Sequence, residues 1–68
     1  MEFRNNLEKI LLEAKEKEKS YSWLEAIDYY LTAYNLTKLD FEKAGELYIK
    51  IGYCYFRAAL QARSSFFL

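Results

Sequence analysis

Cys54 is the single thiol in the chain, and there is no histidine. A nucleophilic thiol or hydroxyl needs a neighbouring base to activate it. With no imidazole present, the serines, Ser20, Ser22, Ser64 and Ser65, and the lysines have no such partner. Aspartate occurs only at Asp28 and Asp40, and the glutamates lack the clustered spacing of a calcium or magnesium site. No glycine-rich loop is present, since the two glycines, Gly45 and Gly52, stand seven residues apart. These residues predict no catalytic centre, no cofactor site and no metal site, and a chain that is not an enzyme. Cys54 cannot form an internal disulfide. It is expected to be a small buried hydrophobe in a reducing, cytoplasmic setting.

What remains is surface and packing. The chain has 68 residues, a size that supports one domain of marginal stability. Lys plus Arg and Asp plus Glu are 10 each, so the net charge is zero. That argues against nucleic acid or an anionic membrane as partner. No apolar run approaches the roughly 20 residues needed to span a bilayer: Ile10-Leu11-Leu12 and Phe66-Phe67-Leu68 are three residues each. No signal peptide is read at the N-terminus, where Arg4 and Asn5 precede a charged segment. Seven tyrosines, five phenylalanines and one tryptophan make the chain rich in rings, yet a stacking platform for single strands would need a basic groove beside them. With no proline and few turn residues, strands are not expected.

Three helices are predicted. The first, about 2–19, places Phe3, Leu7, Ile10, Leu11 and Ala14 on one face. Its KEKEK end at 15–19 reads as solvated surface, with a Glu13–Lys17 pair one turn apart. The second, about 22–36, opens with Ser22-x-x-Glu25, a capping-box pattern. Trp23, Ala26, Ile27, Tyr30, Ala33 and Tyr34 form its broad apolar face, and Glu25, Asp28, Thr32 and Asn35 its polar strip. Asp40 is positioned to cap the third helix, about 41–62.

That third helix is apolar nearly all round. At about 100° per residue, Ala44, Tyr48, Ile51, Gly52, Tyr55 and Ala59 form one stripe. Ile49, Tyr53, Phe56 and Leu60 form a second, and Glu46, Lys50, Arg57 and Gln61 the polar strip. A helix of this kind is normally covered on more than one side. The first two helices are expected to cover the first stripe, leaving the second for another partner.

Tyr48-x2-Ile51-Gly52-x2-Tyr55 resembles the first-helix signature of the tetratricopeptide (TPR) repeat, and Ala26-x3-Tyr30 followed by Ala33 resembles its second helix. Glu13, Lys17 and Lys38 depart from the pattern. The span from Ala14 to Gly52 is 38 residues, where the repeat usually runs about 34. The surplus is about one helical turn. Elongated repeats of this sort resemble those of soluble NSF attachment proteins and bacterial TPR regulators. The resemblance covers about residues 7–60. It implies an all-α, right-handed repeat fragment: three antiparallel helices, a TPR-like hairpin plus one further helix. It also implies close helix approach at Gly52, so that a larger residue there would overpack the fold. The carboxylate clamp of some TPR domains is not matched, since Leu11 and Lys15 stand on the corresponding face. Beyond Ala59, either the third helix continues or a fourth begins near Ser64 and Phe67.

Function is therefore expected in protein–protein contact. The interaction face is Ile49, Tyr53, Phe56, Arg57 and Leu60. One reading is a homo-oligomer, with a dimer favoured, scaffolding a larger assembly. The other is a monomeric adaptor with a hydrophobic groove for an amphipathic peptide or helix. The Tyr/Ala-rich EAIDYYLTAY at 25–34 is similar to the second helix of microtubule-interacting-and-transport domains, which work in that way.

Overall fold

The computed structural model describes the backbone of residues 2–67 and the side chains of residues 6–64. Three helices make up the domain: α1 (Glu2–Lys19), α2 (Trp23–Thr37) and α3 (Phe41–Phe67). The class is all-α, as the sequence predicts. Helix α2 lies between the other two and packs on both, whereas α1 and α3 scarcely meet. The Cα trace measures 47 × 20 × 13 Å. Its long dimension belongs to α3, whose 27 residues extend about 40 Å at 1.5 Å per residue. Helix α3 runs unbroken past Ala62, so no fourth helix starts at Ser64. The side chains of Phe3, Phe66, Phe67 and Leu68 lie outside the described residues.

Helix α2 can be central because it is lined with small residues. Ala26 and Ala33 are wholly buried, as is Ala14 of α1. Small side chains at the crossings let helix axes approach, and Trp23, Ile27 and Tyr30 fill the space between them. Leu7 of α1 and Leu47, Ile51 and Cys54 of α3 complete the core. Ile10, Leu11 and Tyr34 pack at its border. The polar strip of α2 faces solvent at all four predicted positions.

The turn from α1 to α2 is built without glycine. Ser22 N–H donates to the Lys17 carbonyl at 2.8 Å, and Tyr21 N–H to the Glu18 carbonyl at 3.0 Å. This is a Schellman closure, and its left-handed position is ordinarily glycine. Here Tyr21 occupies it, with φ of 61°. A β-carbon in that conformation costs about 1–2 kcal/mol. Tyr21→Gly is therefore expected to stabilise the fold by about 1 kcal/mol, read as a higher melting temperature. A lower one would show that the Tyr21 ring, 6.2 Å from that of Trp23, outweighs the backbone strain.

The predicted capping box does not form. Ser22 is the N-cap residue but makes no side-chain cap, and Glu25 turns to Lys17 at 3.0 Å. The turn already takes the Ser22 N–H for the Lys17 carbonyl, so Glu25 has no donor to reach back to and pairs with the Lys17 ammonium instead. Lys17 is thus drawn to Glu25 and not to Glu13. The second predicted cap is present: Lys43 N–H donates to Asp40 Oδ1 at 3.3 Å.

Candidate functional site: the open face of α3

Helix α3 buries Leu47, Ile51 and Cys54 in the core shared with α2, with Ala58 half-buried beside them, and Ala44 is buried on the same edge. This edge corrects the predicted docking stripe. Ala44 and Ile51 belong to it, but Tyr48 is 70% exposed and Tyr55 54% exposed. Gly52 and Ala59 are exposed as well. The docked edge is rotated by about a fifth of a turn from the predicted stripe, toward the smaller Cys54 and Ala58. Those residues let α2 lie close. The resemblance implied close approach at Gly52, and the structure shows the opposite. A β-carbon built there meets nothing within 4 Å. Ala26, Tyr30 and Ala33 of α2 are buried, as their place on its apolar face predicts.

The predicted interaction residues do come together on open surface. Ile49 is 72% exposed, and Tyr53, Phe56 and Leu60 are exposed beside it. Tyr48 and Tyr55 extend the same face, so the two predicted stripes merge into one apolar surface along α3. Arg57 stands at its edge, half-buried, with the guanidinium carbon 5.1 Å from the centre of the Trp23 ring. Tyr53 meets the other side of that cluster, edge-on to Trp23 at 6.0 Å. Exposed single hydrophobes are ordinary, but here several large ones lie together along one helix.

One polar cluster went unread in the sequence. Glu18 sits within the KEKEK run, yet its side chain is only 14% exposed. It reaches across α2 to α3. Tyr30 OH donates to Glu18 Oε2, Lys50 Nζ lies 3.3 Å from the same oxygen, and Cys54 Sγ lies 3.9 Å from Oε1. Glu18 thereby joins all three helices, including the two that scarcely meet. A buried tyrosine hydroxyl needs a partner, and the spacing of Tyr30 on the α2 core face was the available signal.

Burial pushes the Cys54 thiol above its ordinary value of 9.0, the Glu18 charge pushes it further, and Lys50 partly opposes them. The thiol is fully buried, and the thiolate is the reactive form. Cys54 is expected to react with an aromatic disulfide reagent at least tenfold more slowly in the native protein than in denaturant. Equal rates would place the thiol on the surface.

Among the described residues no helix is long and apolar enough to cross a membrane, and no three histidine, cysteine or acidic side chains gather as a metal-binding group. Compared with known protein families, curated proteins and solved structures, the chain matches none.

Proposed function

We propose that this chain is a non-catalytic interaction module of TPR-like build that self-associates through α3 as a homodimer and scaffolds a larger assembly. The observation that supports it is the open apolar face of α3. Six of its large side chains, Tyr48, Ile49, Tyr53, Tyr55, Phe56 and Leu60, are between 41% and 72% exposed. Fully burying one such side chain contributes about 1.5–3 kcal/mol. In a TPR array the next helix would stand against Tyr48, Gly52 and Tyr55, and here α3 of a second copy takes that place. A buried, reduced Cys54 suits a cytoplasmic setting.

Sedimentation equilibrium over low to high micromolar concentration tests the reading. A mass rising to twice 8.2 kDa is expected, and Ile49→Lys should hold the chain at the monomer mass with its helical signal intact. A parent chain that stays monomeric at high micromolar concentration overturns it.

The adaptor reading has its own observation. A groove of about 340 Å³ runs between α1 and α2, lined by Ile10, Tyr29 and Leu36 with Asn6, Lys9 and Glu13 at its rim. It has room for an apolar side chain of a docked helix. Saturable binding of an amphipathic helical peptide to a monomeric chain, abolished by Ile10→Lys, would favour it over self-association.

A further inference from the structure

We infer that two copies pair through α3 in antiparallel orientation, with Gly52 near the two-fold axis. This inference rests on the self-association proposed above and adds its geometry. The first support is area. A large aromatic side chain carries on the order of 150–250 Å², and at the exposures given the face offers on the order of 600 Å² per copy, or about 1,200 Å² for the pair. That reaches the lower bound for a stable specific interface. A second copy is thus sufficient to cover the face.

The second support is charge. At about 100° per residue, the apolar face is bordered by Glu42 and Glu46 toward its N-terminal end and by Arg57 toward its C-terminal end. The other two cations in that part of α3 point elsewhere. Lys43 lines the cleft toward α1 with Leu7 and Leu47, and Lys50 is held by Glu18; Glu46 also lines that cleft, but about 60° nearer to the apolar face than Lys43. Parallel pairing about a two-fold axis would set this charged edge of one copy against the opposite edge of the other, which carries Tyr48 and Tyr55, and would leave the carboxylates unmatched. Antiparallel pairing sets the acidic end of each copy against Arg57 of the other, and opposes the two helix dipoles. Stacking on Trp23 occupies one face of the Arg57 guanidinium and leaves its N–H edge for a carboxylate.

The register follows from what lies on the face. Glu46 and Arg57 stand nearly equidistant from Gly52 along the helix, so an axis there brings the two together twice. Gly45 and Ala59 stand seven residues either side of Gly52 and meet each other across the pair. Both glycines have open space where a side chain would be, so the helices can approach closely along this line. A homodimer interface must be self-complementary, and this arrangement is.

Two cysteine variants test the inference, both carrying Cys54→Ala. One adds Gly45→Cys and the other Ala59→Cys. Mild oxidation of their mixture should yield mainly the mixed 45–59 disulfide, with little product from either variant alone. Like-with-like disulfides would show parallel pairing and overturn the inference. No disulfide from the mixed variants, when the parent chain sediments as a dimer, would place the interface elsewhere and also overturn it. A monomeric parent would overturn the self-association reading itself. As a second readout, Glu46→Arg and Arg57→Glu should each weaken dimerisation on the order of tenfold, and the double variant should recover it. A double variant as weak as the singles would remove the proposed ion pairs.

Discussion

Tyr30→Ala is expected to leave the chain largely unfolded at room temperature. Tyr30 is 1% exposed, the largest of the fully buried side chains. Removing a buried aromatic ring costs about 3–5 kcal/mol, part of it for the cavity left behind. At roughly 0.05–0.15 kcal/mol per residue, a domain of this size has about 3–10 kcal/mol in total. Tyr30→Phe separates the ring from its hydroxyl. The ring stays, but Glu18 loses the donor that helps keep its charge satisfied beneath the surface. A hydrogen bond to a charged group is worth about 1.5–3 kcal/mol, so this variant should fold with a clearly lower melting temperature. Circular dichroism melts of the two variants check both figures. A Tyr30→Phe melt equal to the parent would mean that Glu18 is adequately held by Lys50 alone.

The same cluster sets an alkaline limit. Burial, followed by the adjacent Glu18 carboxylate, raises the Tyr30 hydroxyl far above its ordinary value of 10.0. Cys54 is raised in the same direction. A group whose folded value is raised favours the folded state while it holds its proton. Its contribution is complete below the unfolded value and declines as pH rises toward the folded one. Stability should therefore fall from about pH 9 upward. In Tyr30→Phe, which cannot ionise there, the fall should be shallower.

Gly52→Leu should separate folding from association. Glycine in a helix interior is about 1 kcal/mol less favourable than a good helix former, and a β-carbon at Gly52 meets no neighbour within 4 Å. The monomer should melt at the same temperature or a few degrees higher. In the dimer, a leucine near the axis would hold the two α3 helices apart. The dissociation constant is expected to rise at least tenfold, a cost of about 1.4 kcal/mol, within the usual range for overpacking. Melting of dilute protein beside sedimentation at high concentration reads the two effects separately. A variant that unfolds while dilute would mean that Gly52 is packed within the monomer, as the TPR resemblance implied. A variant that dimerises as tightly as its parent would move the axis away from Gly52.

The three helices, their order and nearly all their limits are legible from periodicity, from Asp40 as a cap and from the lack of glycine and proline. The core face of α2 is legible too, because Glu25, Asp28, Thr32 and Asn35 confine polarity to one strip and leave the opposite side unambiguous. Helix α3 offers no such contrast. Its apolar residues cover most of the circumference, so a 3.6-residue period orders its faces without saying which of them docks. Packing decided that: Leu47, Ile51 and Cys54 share one core with Ala26 and Ala33, whereas the bulkier Tyr48 and Tyr55 stay exposed. Glu18 was hidden for a related reason. In a run of alternating charges every position looks solvated, and only the tight turn at Tyr21, which lays the end of α1 across Tyr30 and Cys54, takes one of those carboxylates out of water and makes it the link between α1 and α3.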